Sequence, residues 1–197
     1  RQLVERQQQK EKMLELQLTT INNQFSPHFT FNALNLLNNL MRDGETEKAI
    51  DYNNNLSRMI RNIVSNAGKA LNTLGEELEF CRSYLELYKV RAQYPFEYHI
   101  EVADGANENT LLPKSLMQIY VENALKHGIF PKQGRGEVTI TVSQDSRGTT
   151  IVITDNGVGI NTKTGPKLPS NGKGFEISHH LQQLSREHYG KALNINV

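Results

Sequence analysis

The period of the hydrophobic pattern changes once along this chain, and that change constrains the fold more than any other feature. Before about residue 70 the apolar residues recur every three to four positions, as on helices that bury one face. After Pro95 they alternate with polar residues, as on a half-buried strand, at Phe96, Tyr98, Ile100 and Val102. The sequence therefore predicts an α+β chain, helical first and mixed α/β afterwards, with a boundary within residues 70–95.

Two amphipathic helices are predicted in the helical part. Ser26 can cap a helix that begins at Pro27, where the missing backbone N–H costs nothing, and the turn residues Asp43-Gly44 end it. A second helix is predicted from Glu45 to about Ala67. Helices joined by so short a turn are expected to pack as an antiparallel hairpin. Because one hairpin leaves much apolar surface exposed, two hairpins are expected to form a dimeric four-helix bundle.

Helical segments are also predicted on either side of this hairpin. Residues 1–25 have the heptad pattern of a helix that enters a bundle or a parallel dimer, although a solvated helix fits residues 1–12 equally well. The apolar heptad positions are Val4, Leu14, Leu18, Ile21 and Phe25. After the hairpin, Thr73 and Glu76 form a capping-box pattern, which predicts a third helix from about Leu74 to Ala92.

The mixed part is predicted to contain further helices and strands around a long polar loop. A helix is expected over Pro113–His127, followed by strands at Glu137–Ser143 and Thr149–Thr154. Residues 161–173 are rich in Gly, Pro, Lys and Ser, which is typical of a mobile loop. A helix at about 175–187 and a strand at 192–197 complete the predicted order.

Composition excludes several classes of function. Of the 197 residues, 22 are basic and 21 acidic, and a net charge of +1 argues against a broad nucleic-acid or membrane-surface footprint. The single cysteine, Cys81, cannot build a disulfide framework or a zinc site within the chain, which favours a reducing compartment. No apolar run approaches the ~20 residues that span a bilayer.

A predicted helix end and a predicted strand end both have residue types suited to binding a nucleotide. On an α-helix, Asn123, Lys126 and His127 would share one face, where an amide oxygen can ligate Mg²⁺ and a lysine can meet phosphate. Asp155 follows an apolar strand, where a buried acceptor could meet the amino group of a base. Each segment also has a purely structural interpretation. Lys126 and His127 could merely offset the negative end of a helix dipole, and the segment after Asp155 could be an ordinary strand-ending turn.

Glycines complete the candidate pocket. Gly157 and Gly159 allow close backbone approach and positive φ. Gly172 and Gly174 precede a predicted helix whose free N–H groups would face a phosphate. None of the three segments is specific by itself. Their order along the chain predicts three walls of one nucleotide pocket, and His28, far upstream, becomes a candidate acceptor for the phosphate.

These segments resemble the LytS/YesM-type sensor histidine kinases, whose catalytic half is a GHKL-type ATPase domain. Residues 27–35, Pro-His-Phe-Thr-Phe-Asn-Ala-Leu-Asn, match the histidine segment of that family in full. Residues 74–91 resemble its linking segment, 122–128 its N box and 155–159 its first glycine box. The resemblance runs from about Leu18 to Tyr189. It implies a helical dimerisation and phosphoacceptor region at 1–72, a linking helix at 73–95 and an α/β sandwich that binds ATP at 96–197.

The resemblance also implies roles for the candidate residues. Asp155 would bind the adenine, Asn123 would hold Mg²⁺, and Lys126 and His127 would flank the phosphates of ATP. The nucleotide would also contact glycines of both glycine segments, namely Gly157, Gly159, Gly172 and Gly174. His28 would accept the γ-phosphoryl group and pass it to an aspartate on the receiver domain of a response regulator.

Two features of the sequence depart from the family pattern. The second glycine segment continues Gly174-Phe175 where Gly-Leu is common, and the sequence ends before a further strand that the family normally has. Both favour an alternative, a degenerate dimeric scaffold that binds nucleotide weakly. A third possibility is a clamp ATPase with Glu122 activating water, although such an enzyme would not need His28.

Asn32 and the cellular context complete the expectations. Asn32 lies one helical turn after His28 and could orient a water, while hydrogen bonding between helices is an equally open interpretation. The partners implied are a second copy of the chain and a response regulator, with no nucleic acid. The resemblance also implies a place at the cytoplasmic side of the inner membrane, with membrane contact only through segments upstream of Arg1.

Overall fold

The computed structural model describes residues 27–66, 69–159 and 194. The chain divides into two compact units, Arg1–Ala70 and Leu71–Val197. The domain limits predicted at 72/73 and 95/96 stay a prediction. The predicted heptad segment, the loop at 161–173 and the last helix lie outside the described residues, as does the final strand apart from residue 194.

The first unit contains the predicted hairpin. Helix α1 is Pro27–Arg42 and helix α2 is Thr46–Ser65. Gly44 makes the turn between them with φ +78°, a conformation that glycine adopts without strain. The N–H of Asp43 donates to the carbonyl of Asn39 and that of Glu45 to the carbonyl of Leu40, both at 2.9 Å. These bonds satisfy carbonyls at the end of α1, so the chain reverses directly into α2.

Each helix of the hairpin buries one apolar face and leaves a second one exposed. The buried side chains are Ala33 and Leu40 of α1 with Ala49, Tyr52, Leu56, Met59 and Ile63 of α2. The exposed stripe contains Phe31, Leu34 and Met41 of α1 with Ile50, Ile60 and Val64 of α2. Phe31 is 67% exposed and Met41 64%, so the hairpin itself covers only part of the apolar surface it carries.

The second unit begins with a short strand and the predicted third helix. Strand β1 is Leu71–Thr73 and helix α3 is Leu74–Arg91. The Thr73 hydroxyl accepts from the N–H of Glu76 at 3.2 Å, and the Glu76 carboxylate accepts from the N–H of Thr73 at 2.8 Å. This reciprocal pair is the predicted capping box, and it fixes the first residue of α3.

Within residues 69–159, three strands form the main sheet of this unit. Strand β2 is Phe96–Val102, and β3, which is Leu111–Pro113, pairs outside this sheet with β1. Strands β4 (Gly136–Asp145) and β5 (Gly148–Asp155) form an antiparallel hairpin, and β2 lies parallel to β4. The register places Tyr98, Ile100 and Val102 opposite Val138, Ile140 and Val142, so one face of the sheet is apolar. Ile153 and Asp155 extend the same face onto β5.

The helix predicted over Pro113–His127 is wrong in its extent. Pro113 ends β3, and Ser115 adopts φ +63°, so helix α4 begins only at Leu116 and covers Leu116–Asn123. A π-helix follows at Ala124–Ile129 and a 3-10 helix at Phe130–Lys132. The pairing of β3 with a strand some 40 residues earlier competes with local helix propensity at the start, and local periodicity does not reveal such a pairing.

Among the described helices, none has both the length and the apolarity that crossing a membrane requires.

Candidate functional site

The candidate site lies where the loop after β5 meets the π-helix. The N–H of Val158 donates to the carbonyl of Gly128 at 3.1 Å. A Cβ placed on Gly157 would lie 2.2 Å from the carbonyl carbon of Gly128 and 2.3 Å from its Cα. Two backbone segments about 30 residues apart therefore touch at two glycines, because side chains at either position would keep them apart. The structure brings the predicted N box and first glycine box together.

Asp155 is the last residue of β5 and lies at this contact. Its Oδ1 accepts from the N–H of Gly157 at 2.8 Å, which holds the carboxylate over the loop. A Cβ on Gly128 would lie 2.2 Å from the same Oδ1, so a side chain at position 128 would displace the Asp155 carboxylate. Asp155 was predicted as a buried acceptor, but the structure leaves it exposed. The reason is its place at the strand end, where described elements cover one side only.

A second set of contacts fixes the loop after β5 from the other side. The side-chain oxygen of Asn156 accepts from the N–H of Glu137 at 2.9 Å, and the N–H of Asn156 donates to the Glu137 carbonyl at 3.1 Å. The ammonium of Lys132 donates to the carbonyl of Asn156 at 2.9 Å. These bonds extend the β4–β5 pairing by one residue, so Gly157 enters the glycine contact from a fixed position.

Asn123, Lys126 and His127 do not have the α-helical spacing that the sequence predicted. Asn123 ends α4 half-buried, whereas Lys126 and His127 are exposed on the π-helix. In a π-helix the hydrogen bonds run from i to i+5, so the positions i, i+3 and i+4 no longer form one α-helical face. π-Helical turns are frequent at functional sites. The three residues remain within one short segment that leads into Gly128.

Lys126 forms an ion pair with Glu122 on this segment. Both side chains are substantially solvent-accessible, and exposed i,i+4 pairs of this kind contribute about 0.3–0.5 kcal/mol. So weak a pair leaves both side chains available to stronger partners, such as a phosphate for the Lys126 ammonium.

The histidine segment belongs to the first unit. His28 is the second residue of α1, and its side chain lies outside the described part of the chain. Asn32 lies one turn later and is half-buried. Gly172 and Gly174 also lie outside the described residues. Gly159, by contrast, adopts φ +76°, so its predicted backbone freedom is used.

Sequence reasoning did not assign the roles that the structure gives to Gly128, Lys132 and Asn156. Gly128 was part of the recognised N box, but its contact partner, Gly157, was identifiable only from the fold. Lys132 and Asn156 position the loop after β5, and nothing in their local sequence indicates it. An Asn that follows a strand-ending Asp suggests a turn, so the sequence does not reveal that Asn156 bonds to the neighbouring strand.

Two other titratable groups of this unit are structural. Burial, followed by the nearby Glu77 carboxylate, raises the pKa of the Cys81 thiol well above its usual value. A thiol that stays protonated is a poor nucleophile, so Cys81 is not a candidate phosphate acceptor. Burial and then the hydrogen bond to Glu86 raise the pKa of Tyr98, whose hydroxyl donates to Glu86 at 2.5 Å and joins β2 to α3.

Two protein-family models match consecutive parts of the chain. The family described as histidine kinase matches residues 16–96. The family described as histidine kinase-, DNA gyrase B-, and HSP90-like ATPase matches residues 108–193. The glycine contact lies within the second match. The two matches follow the same order as the histidine segment and the nucleotide-binding segments in the sequence.

Curated relatives carry sensor kinase names. The sensor protein LytS of Staphylococcus haemolyticus is 30% identical over 174 residues, 87% of this chain and 29% of the relative. LytS of Bacillus subtilis is 32% identical over 168 residues, which are 85% of this chain and 28% of the relative. The sensor histidine kinase YpdA of Escherichia coli is 30% identical over 197 residues, which are 96% of this chain and 33% of the relative. The chain thus spans a third or less of each relative.

A solved bacterial phosphotransferase, 17% identical, aligns over 94% of this chain and 91% of its own with a TM-score of 0.45. A likeness this low supports no functional conclusion.

Proposed function

Because this chain belongs to the LytS-type sensor histidine kinases, we propose that it is the kinase core of a two-component sensor. In this proposal the chain transfers the γ-phosphoryl group of ATP to His28 and then to an aspartate on a response-regulator receiver domain. One observation carries it: the backbone contact between Gly128 and Gly157, with the Asp155 carboxylate held beside it. That contact brings together the N box and the glycine box of an ATPase family.

The donor groups around the glycine contact fit the base of a nucleotide. Asp155 uses Oδ1 for the N–H of Gly157. Among the described residues, its Oδ2 has no hydrogen-bond donor, so it can accept from the exocyclic amino group of adenine. The absence of side chains at Gly128 and Gly157 lets the two backbone segments meet, which fixes Asp155 beside their contact. Gly159 follows with φ +76°.

The donor groups of the N box fit the phosphates and Mg²⁺. The side-chain oxygen of Asn123 is the hard oxygen ligand that Mg²⁺ prefers. When bound, Mg²⁺ neutralises charge on the phosphate oxygens of the nucleotide. Lys126 and His127 are exposed on the next turn and offer N–H donors to the same oxygens. Gly172 and Gly174, outside the described residues, are also proposed to contact the nucleotide.

The proposed transfer uses His28 as nucleophile. A neutral imidazole nitrogen forms a bond to the γ-phosphorus as the bond to the β–γ bridging oxygen breaks, and ADP leaves with that electron pair. The imidazole proton passes to water, because the next residue, Phe29, carries no carboxylate to accept it. Asn32, one turn later, is proposed to orient a water at this position. The phosphoryl group then moves to the receiver aspartate, and His28 returns to its neutral form.

Replacing Asp155 by asparagine is expected to weaken ATP binding by about 10- to 100-fold, because the complex loses one hydrogen bond to a charged acceptor. Asparagine keeps an oxygen for the N–H of Gly157, but it presents an NH₂ donor to the amino group of adenine. Titration with a fluorescent ATP analogue measures the change. The matched control is Asp145→Asn, a carboxylate on the β4–β5 turn, which should bind normally. Equal affinities for Asp155→Asn and wild type would remove Asp155 from the base site.

We also propose that the chain acts as a homodimer through the exposed stripe of the hairpin. This stripe has apolar residues on both helices, including Phe31 and Leu34 of α1 and Val64 of α2. Two such stripes packed together would complete a four-helix bundle and cover surface that a single hairpin leaves in water. The cytoplasmic side of the inner membrane is the proposed location.

Leu34→Asp is expected to weaken the dimer by at least about 30-fold, because it would bury a carboxylate without a partner. Sedimentation equilibrium across a dilution series gives the dissociation constant. Asn54→Asp introduces the same charge on an exposed polar position of α2 and should leave dimerisation unchanged. If Leu34→Asp dimerises as tightly as wild type, the stripe is not the interface.

The experiment that tests the proposed function is incubation of the chain with γ-labelled ATP and Mg²⁺. Label that is stable in base and lost in acid establishes a phosphohistidine. Absence of label with continued ATP hydrolysis would favour a clamp ATPase instead. Absence of both label and nucleotide binding, in a folded dimer, would favour the scaffold.

A further inference from the structure

Glu77 has an unusual place in the second unit. It lies in the first turn of α3 and is only 3% exposed. Its Oε1 accepts from the side-chain amide of Asn72 and from the backbone N–H of Ser115, both at 2.8 Å. Its Oε2 accepts from the N–H of Met117 at 3.1 Å. One buried carboxylate therefore binds three donors on two different segments.

The two backbone donors are those that a helix N-terminus leaves unsatisfied. Ser115 is the N-cap residue of α4, but its φ of +63° differs from the usual cap conformation and its side chain makes no capping bond. Glu77 supplies the missing acceptor, although it lies 38 residues before Ser115 and 40 before Met117 in the sequence. A negative charge at this end is also stabilised by the positive end of the α4 dipole.

Capping alone does not require this arrangement. A local Ser, Thr, Asn or Asp side chain caps a helix without burying a charge. Burial raises the pKa of Glu77, and the hydrogen bonds from Ser115, Asn72 and Met117 and the nearby Lys114 offset that cost only in part. What the distant carboxylate adds is a fixed relation between the start of α4 and the start of α3.

The opposite end of α4 carries the proposed metal ligand. The helix has 8 residues, so its ends lie about 12 Å apart. It leads directly into Asn123 and then, through the π-helix, to Gly128 at the glycine contact. Val121 and Leu125 are fully buried, so the segment is anchored in the core of this unit on both sides of Asn123. We therefore expect a shift of its start to be transmitted to Asn123.

We propose that Glu77 is a positioning residue for the nucleotide site, holding α4 so that Asn123 and Gly128 meet Asp155 and the bound phosphates. The inference rests on the proposed function, since the ligand it positions is the proposed Mg²⁺ ligand. Glu77 touches neither nucleotide nor metal. It acts through the backbone of α4.

Glu77→Gln tests this proposal with little change of shape. An amide has one acceptor oxygen for the three donors, and its NH₂ group would face one of them. We expect the Mg²⁺ concentration for half-maximal labelling to rise about 10-fold, as for other groups that orient a metal ligand. Hydrogen exchange of the backbone amides at 118–128 should become faster in the nucleotide-free protein, because the start of α4 is released.

The matched control is Asn72→Ala. It removes one buried partner of Glu77 but leaves both bonds to the α4 backbone. We expect a lower unfolding temperature with unchanged Mg²⁺ dependence and unchanged exchange at 118–128. If Glu77→Gln resembles this control, Glu77 is a structural cap and the proposal is overturned. If Glu77→Gln does not fold, Glu77→Asp, charged but one methylene shorter, is measured in its place.

The exchange measurement separates this proposal from the proposed function. If the wild-type chain neither binds nor transfers phosphate, the kinase proposal fails, but exchange at 118–128 still reports whether Glu77 fixes α4. If the wild type is labelled and exchange is the same in Glu77→Gln, only the role of Glu77 is overturned.

Discussion

Replacing His28 by glutamine is expected to abolish the transfer of label from γ-labelled ATP to the chain while ATP binding remains. Glutamine is compatible with the second position of α1 but lacks a nucleophilic nitrogen, so no bond to the γ-phosphorus can form. Loss of a sole nucleophile lowers transfer by on the order of 10³-fold or more, below the detection of a filter assay. Fluorescent nucleotide titration of the same variant should give the wild-type dissociation constant.

The matched control is His99→Gln. His99 lies exposed on β2, 3.6 Å from the Glu137 carboxylate, on the face of the sheet opposite the apolar one. The variant His99→Gln should therefore be labelled like the wild type. Full labelling of His28→Gln would place the phosphate on another residue and refute the proposed acceptor. Loss of both label and nucleotide binding in His28→Gln would mean that the substitution disturbs the fold, and circular dichroism checks for that.

Gly157→Ala is expected to lower ATP affinity by more than about 100-fold and to reduce the free energy of unfolding by about 1–3 kcal/mol. Its Cβ would lie 2.2 Å from the carbonyl carbon and 2.4 Å from the carbonyl oxygen of Gly128. These are backbone atoms, which cannot rotate aside, so the two segments must separate. The bond from Val158 to Gly128 would then break, and Asp155 would lose its position.

Gly134→Ala is the matched control for this prediction. Its Cβ would meet only the Lys132 carbonyl at 3.8 Å, an ordinary contact, and the residue does not have positive φ. The two variants make the same substitution, 23 positions apart in the same unit, so a generic effect of alanine would appear in both. Isothermal titration with ATP and chemical denaturation give the two quantities. Wild-type affinity in Gly157→Ala would show that the glycine contact does not shape the site.

Much of the local structure could be predicted from the sequence because its causes are local. The Thr73–Glu76 capping box forms between residues three apart, and it begins α3 where the sequence indicates. The hairpin turn at Gly44 follows from the one residue there that adopts positive φ without strain. Alternation of apolar residues from Phe96 to Val102 defines which face of β2 is buried.

The failures of prediction share another cause, which is pairing between distant segments. Strand β1 forms only because Leu111–Pro113 lies beside it, and three residues have no period to detect. β3 pairs with β1 up to Pro113, and the Glu77 carboxylate accepts from the first N–H groups of α4, so local propensity misplaced the start of α4. Lys126 and His127 lie on a π-helix and so lack α-helical spacing. This π-helix contains Gly128, whose contact partner lies about 30 residues later in the sequence.

The sequence by itself determined the order of the parts: a histidine segment on a helical hairpin, a capped helix, then an α/β unit of the ATPase family. It did so because helix periods, caps and motif residues act over a few positions. Only the tertiary structure decided how the candidate site closes. Gly128, Asp155 and Gly157 come from segments about 30 residues apart, and only the packing of the π-helix against the end of β5 brings them into contact. Whether a glycine is needed at a position depends on what lies across from it, and the partner is specified by the fold.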